Sequence, residues 1–402
     1  VAFRFGVKDE AMVEAAVQSP RHRFAAWVTW IALAAIMCTI VVSDIVNDKP
    51  ERSVTKSYRS AVENWFAGRP LYNMGGSDFI YMPQAALVFA PWGLLPKPVG
   101  EVLWRCTILA VMAAGVYRVT RQSSLDDRWF LINTVVTVAT AAGCARNGQS
   151  TLIITGLMLL ATADIAENKW WRATILLSLA FAFKPVAIVL ILLAAAIYPQ
   201  MRWRLAIGMA VVAVSPFLTQ RPEYVISQFQ AFSENSKVAF SKGETGDWAQ
   251  VYGMLKVFGL DLPSPIQQVG RLGFAAATLV ACWLVARKLH PIRATFYLYS
   301  LSACYLMLFN SRTEGSTYAM VGPVYGLLLA EQWLMKRKTM ATVSLILAAV
   351  LTVFNYDIGR FLTKSFLGKP NEIWLCPFVC VLVSIYLVMQ LIRELRTSNS
   401  VA

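Results

Sequence analysis

Charge is what this sequence has least of. Asp, Glu, Lys and Arg make up 15% of its 402 residues and hydrophobic residues 57%, where a soluble domain carries roughly 25% and 45–50%. An ordinary soluble enzyme is excluded on that ground, and a mean hydropathy of +0.53 excludes a disordered or fibrous chain. Histidine is nearly absent: His22 and His290 each sit beside basic residues, so histidine-based catalysis or metal binding is not expected. The seven cysteines lie in apolar stretches without paired spacing. They read as buried free thiols, not as a disulfide framework or a zinc site. No nucleotide or phosphate-loop motif, internal repeat or low-complexity segment is present. The missing repeat speaks against an inverted-repeat transporter, and no cofactor or metal is expected. A polar segment precedes the first apolar run, so a cleavable signal peptide is not expected either.

What is there is a series of apolar runs. A spanning helix takes about 20 mostly apolar residues. The first run, 24–42, follows Arg21 and Arg23, which places the N-terminus in the cytoplasm by the positive-inside rule. Further runs lie at about 99–118, 129–145, 150–166, 172–184, 186–199, 203–219, 266–286, 292–309, 316–334, 339–355 and 373–392. The expectation is an all-α polytopic membrane protein with about twelve transmembrane helices, both termini cytoplasmic, as a single integral membrane domain over 1–402. Every short inner loop is then basic, including Arg118 and Arg121, Lys169 and Arg172, and Arg287 and Arg293. Much of the net charge of +14 is therefore a topology signal, and a nucleic-acid partner is not expected.

Three features interrupt this pattern. Segment 80–96 is short and carries Pro83, Pro91 and Pro96, so it reads as a re-entrant or interfacial helix on the outer side, with a full crossing left open. Lys184-Pro185 separates two short apolar helices, and proline forces a break there. Two outer loops are long, 43–79 and 220–265. The first carries Tyr58, Ala61, Val62, Trp65 and Phe66 near helical spacing, as in a helix lying in the membrane interface.

Ionisable groups at membrane depth are functional hypotheses by default, and here they gather at one side. Arg146, Asn147 and Gln149 sit at one outer helix end, Lys184 at the next, and Asn310, Arg312 and Glu314 at a third. Asp44, Asp48, Glu51, Arg59 and Glu63 lie in the first outer loop, Asp247 and Trp248 in the second. Arg, Lys and amides beside a carboxylate suit an anionic lipid phosphate, with the carboxylate as general base toward an acceptor hydroxyl. A transporter or flippase of a lipid-linked anionic substrate fits the same spans and cations. That reading expects polar groups deep within several helices, not clustered at one face.

Six stretches in order carry a resemblance: YRSAVENWFAGRPLY (58–72), FIYMPQAALVFAPWGLLPKP (79–98), NGQSTL (147–152), FKPV (183–186), WAQVYGMLKVFG (248–259) and LFNSRTEGSTYAMVGP (308–323). Together they resemble glycosyltransferase family 87 (the DUF2029 group) of the GT-C superfamily, and are similar to its polyprenol-phosphate-mannose-dependent mannosyltransferases. The resemblance implies a GT-C-like hexosyltransferase (EC 2.4.1 type) of the cell envelope, in a bacterial inner (plasma) membrane, with its active site outside. Its partners are a polyprenyl-phosphate-linked sugar donor, a lipid or glycan acceptor and membrane lipids. It implies that the NGQ and KP tips, with Asn147, Gln149 and Lys184, line one cavity and help hold the donor phosphate; the outer cations Arg146 and Arg312 are expected to join them on charge, and Tyr58, Tyr81 and Trp248 to line the substrate cavity. Family members carry an Asp where this chain has Val54, and histidines where it has Ser316 and Thr317. The catalytic carboxylate is therefore sought at Asp48 or Glu51, or at Glu314. An inactive member of the family is the further alternative.

Overall fold

A computed structural model describes residues 20–47, 53–72, 79–245, 248–335 and 339–399. Among them the backbone forms seventeen α-helices and no strand. Helices suit lipid because they satisfy every backbone N–H and C=O within one segment. The first span is α1 (Pro20–Val46). It is followed by α2 (Thr55–Phe66), α3 (Gln84–Gly93), α4 (Lys97–Ser123) and α5 (Asp127–Arg146). Next come α6 (Thr151–Ala166), α7 (Trp170–Phe183), α8 (Ile188–Ile197) and α9 (Pro199–Val214). Two helices, α10 (Pro222–Thr245) and α11 (Val251–Val257), precede α12 (Ser264–Lys288) and α13 (Pro291–Phe309). The chain continues through α14 (Gly322–Leu334), α15 (Thr339–Val353), α16 (Asn355–Leu367) and α17 (Leu375–Asn399).

The chain is an all-α, multi-pass membrane protein. Each of the twelve apolar runs falls on a helix of this series. Among the described residues seven helices are long and apolar enough to cross a membrane alone, and the bent pair α15–α16 raises that to eight. The apolar helices α6, α7 and α8 fall short in length. α6 has 16 residues, about 24 Å at 1.5 Å per residue, against a hydrocarbon core of about 30 Å. It is apolar on all sides, and 14 of its residues are buried. A helix of that kind belongs inside protein, not against lipid.

Segment 80–96 does not cross. α3 has ten residues, about 15 Å, and both ends of the segment return to α2. The hydroxyls of Tyr58 and Tyr81 hydrogen-bond at 3.2 Å, and Arg59 donates to the carbonyls of Gly93 and Leu95, each at 2.7 Å. α2 buries Tyr58, Ala61, Val62 and Trp65, leaving Phe66 exposed. α10 closes over it and the segment that follows: the Tyr224 ring lies 5.3 Å from that of Trp65, Tyr224 donates to the Arg69 carbonyl at 2.6 Å, and the Leu71 amide donates to Gln228 at 2.9 Å, while Trp65 donates to Thr219, just before α10, at 3.0 Å. The second long loop is thus largely helical.

One element has no counterpart in the sequence reading. The chain bends by 89° between α15 and α16, and α16 leaves Phe361 and Phe366 exposed while burying Gly359 and Thr363.

Ion pairs gather at one end of the bundle. Arg118 meets Asp164 and Glu167 at 3.3 and 2.7 Å, Arg172 meets Asp164 at 3.3 Å, and Arg121 meets Asp127 at 3.0 Å. Arg293 pairs with Glu394, and with Glu331 at 3.2 Å. These are arginines of the basic loops, and carboxylates neutralise them locally.

Candidate active site

Four loops meet at the opposite end. The first joins α5 to α6 through Asn147, Gly148 and Gln149. Gly148 takes φ +63°, the left-handed conformation that ends a helix without a Cβ penalty. A Cβ there would also lie 2.8 Å from the Arg105 guanidinium. Arg105 is fully buried and pairs with the buried Glu101, which also accepts from the Thr55 hydroxyl. Arg105 donates onward to Ser53 Oγ at 2.9 Å and to the Arg146 carbonyl at 3.2 Å, while Trp104 donates to the Gly148 carbonyl at 2.7 Å. The Val54 amide reaches the Asn147 carbonyl at 3.0 Å. One buried ion pair therefore ties the NGQ turn to the start of α2.

The second loop is the α7 end. Lys184 is extended, at φ −156° and ψ 133°, and Pro185 opens a short 3₁₀ turn. The residue before a proline is pushed out of the helical region, so the lysine leaves the helix at its tip. Its ammonium lies 5.9 Å from the Tyr81 ring centroid, within cation–π range. The third loop carries Tyr81 itself. Burial pushes the Tyr58 and Tyr81 phenols up from their ordinary values, so both remain hydroxyl donors.

The fourth loop follows α13. The Ala249 amide bonds the Thr313 carbonyl at 2.8 Å, which brings Trp248 against this loop, and the Arg312 guanidinium sits 4.9 Å from the Trp248 ring. Gln149 Nε2 donates to Glu314 Oε2 at 2.8 Å, and Ser316 Oγ donates to Gln149 Oε1 at 3.2 Å. A cavity of about 70 Å³ results, lined by Val54, Tyr58, Tyr81, Gln149, Ser150, Lys184, Trp248, Arg312, Glu314 and Thr317, among others. Two buried donor atoms there, Arg312 Nη1 and Trp248 Nε1, have no hydrogen-bond partner among the described residues. Buried donors without partners are costly, and here they lie at a cationic cavity. A larger cavity, about 480 Å³, lies on the other side of Trp248 and Glu314, against α15 and α16.

The sequence profile of glycosyltransferase family 87 matches residues 79–311, more than half of the chain. The chain belongs to glycosyltransferase family 87. It is a membrane glycosyltransferase by that membership. A comparison with curated proteins returned no match. The family match spans Tyr81, Gln149, Lys184 and Trp248, and stops one residue before Arg312.

Seven of the residues singled out in the sequence line the smaller cavity of this family member: Tyr58, Tyr81, Gln149, Lys184, Trp248, Arg312 and Glu314. Arg146 and Asn147 do not line it. Arg146 is exposed, and both contribute through backbone carbonyls that hold Arg105 and Val54. Asp48, Glu51 and Asp247 lie outside the described residues. The Glu101–Arg105 pair escaped the sequence reading, although an acid and a base four residues apart inside an apolar span is a signal in itself. Ser150, Thr151 and Ile80 also line the cavity, and as ordinary residue types they gave no signal.

Proposed function

We propose that this glycosyltransferase moves a hexose, such as mannose, from a polyprenyl-phosphate donor to a lipid or glycan acceptor on the outer face of the membrane. The observation that carries the reading is the presence of Lys184, Arg312 and Glu314 in one cavity. Two cations suit the donor phosphate, whose charge grows as the sugar leaves. Glu314 is the one carboxylate lining this cavity among the described residues, and it serves as general base. The acceptor oxygen attacks the anomeric carbon, the bond from that carbon to the phosphate oxygen breaks, and the acceptor proton passes to Glu314. Single displacement inverts the anomeric configuration. Gln149 holds one carboxylate oxygen and leaves the other for the acceptor.

The test supplies purified protein with radiolabelled polyprenyl-phosphate mannose and, separately, the glucose analogue, with a membrane lipid extract as acceptor. Transfer of label from one donor, with inverted anomeric configuration, is the expected result. No transfer and no donor hydrolysis from either would remove the proposal.

A further inference from the structure

The larger cavity has no part in the donor chemistry. Its lining includes Trp248, Glu314, Ser316, Asn355, Tyr356 and Glu372, and no Lys or Arg among the described residues. Arg360 reaches Glu372 at 3.5 Å without being part of that lining. The two cavities thus share Glu314 and differ in charge: one carries two cations, the other two carboxylates and no cation. A phosphate entering the second would meet the carboxylates of Glu314 and Glu372 with no cation in the lining to receive it, Arg360 offsetting only Glu372 from outside. A sugar ring meets complementary groups instead. Its hydroxyls donate to carboxylate and amide oxygens, and its C–H face packs on Trp248 or Tyr356. The volume of about 480 Å³ falls in the range of ligand sites, about 300–1,000 Å³.

The wall between the cavities is specific in its construction. A Cβ at Gly315 would lie 2.7 Å from Asn355 Oδ1, so only glycine lets that amide approach the backbone beside Glu314. Asn355 Nδ2 donates to the Thr352 carbonyl at 2.7 Å, which fixes which way the amide faces. Beyond Asn355, α16 exposes Tyr356, Phe361 and Phe366, an apolar sill suited to a lipid tail.

We infer that the larger cavity is the acceptor subsite and that it takes a neutral, hydroxyl-rich head group, a pyranoside, not an anionic one. The inference rests on the donor reading of the smaller cavity. The bound pyranoside presents one hydroxyl to Glu314. That oxygen bonds to the donor's anomeric carbon as the bond to phosphate oxygen breaks, the electron pair leaves on the phosphate, and the proton goes to the carboxylate. Asn355 and Glu372 bind and position the ring.

The experiment uses the full chain in phosphatidylcholine nanodiscs, free of sugar-headed detergent. A diazirine-bearing octyl mannoside is photolysed on the protein and the labelled peptides are mapped. Label on the lining segments 139–143, 248–249, 313–316 and 352–373 is expected, displaced by octyl mannoside and not by phosphatidylinositol at equal concentration. Equal displacement by methyl mannoside assigns a free glycoside, and displacement by octyl mannoside alone assigns a lipid-borne one; both fit the site. Glu372→Gln and Asn355→Ala should each raise the acceptor KM roughly ten-fold, the effect of one lost hydrogen bond to a charged or buried partner. Tyr356→Ala, at an exposed position, gives a third variant that folds. Label only outside the lining segments 139–143, 248–249, 313–316 and 352–373, competition by phosphatidylinositol, or unchanged acceptor KM in all three variants overturns the inference. Labelling needs no turnover. If the donor reading alone fails, the label persists while transfer is absent.

Discussion

Gln149 Nε2 donates to Glu314 Oε2 at 2.8 Å, across 165 positions of chain. The same amide accepts from Ser316 at 3.2 Å, so its orientation is set from both sides and the carboxylate is held in one direction. Hydrogen bonds to charged groups contribute about 1.5–3 kcal/mol. Gln149→Leu keeps the volume and removes these two bonds together with the one that Cys144 Sγ donates to Gln149 Oε1 at 3.2 Å. The expected result is a fall in kcat of about ten- to a hundred-fold with donor KM nearly unchanged. A rise in donor KM with kcat intact would make Gln149 a donor-binding residue instead.

Val54 and Glu314 line the same cavity, and the family resemblance has an acid where Val54 stands. This gives a rescue test for the base. Glu314→Gln should lower single-turnover transfer by about 10²–10⁴ while labelled donor still binds. Adding Val54→Asp to that variant places a carboxylate on the same wall and should recover part of the rate. Full activity in Glu314→Gln would move the base elsewhere, with Asp48 and Glu51 the next to mutate.

Lys184 and Arg312 are the two cations of the smaller cavity, and neither is ion-paired with another described residue. Removing one charge-assisted contact to phosphate should raise donor KM about ten-fold or more. Lys184→Met and Arg312→Met are each expected to do so, and Lys184→Arg to retain most of the affinity. The inhibition constant of the free polyprenyl phosphate should move in parallel, because the leaving group sits where the donor phosphate sat. A donor KM that does not respond to either Met variant would show that the phosphate lies elsewhere.

Lys184, Arg312 and Glu314 were legible because charge in an apolar sequence is conspicuous, and because alternation of the spans put their loops on one side. The twelve apolar runs were legible for the same reason. Three features were hidden. α16 follows its span after an 89° bend, and composition does not encode bends. α10 covers α2 through contacts such as the Tyr224 ring on Trp65, which no local pattern reports. Arg146 and Asn147 looked like ligands by residue type, yet their carbonyls do the structural work, and a backbone role leaves no trace in side-chain identity.

The Glu101–Arg105 pair should be the most sensitive structural point near the site. Breaking a buried ion pair by removing one partner costs about 3–5 kcal/mol, while replacing both with apolar groups is often neutral. Glu101→Leu should therefore lower the thermal midpoint in nanodiscs sharply, and Glu101→Leu with Arg105→Met should recover much of it. Activity should not return with stability, because Arg105 also holds Ser53 and the Arg146 carbonyl. A double variant that regains both would show that the NGQ turn keeps its shape without this arginine.

Which side of the membrane the site faces decides which donor can reach it. Leu125 is exposed between α4 and α5, at the ion-paired end, and Ser365 is exposed on α16, at the site end. Cys38 and Cys106 are the accessible native thiols, so Cys38→Ala with Cys106→Ala makes a quiet background for a membrane-impermeant maleimide. In intact cells Ser365→Cys should label, and Leu125→Cys only after the membrane is opened. That outcome agrees with the basic loops at the Leu125 end facing the cytoplasm. It also leaves the site without access to cytoplasmic sugar nucleotides, so a donor carried through the membrane on a polyprenyl phosphate is required. The reverse labelling would put the cavity in the cytoplasm, where a soluble sugar nucleotide becomes the simpler donor, and the case for a lipid phosphate against Lys184 and Arg312 would fall with it.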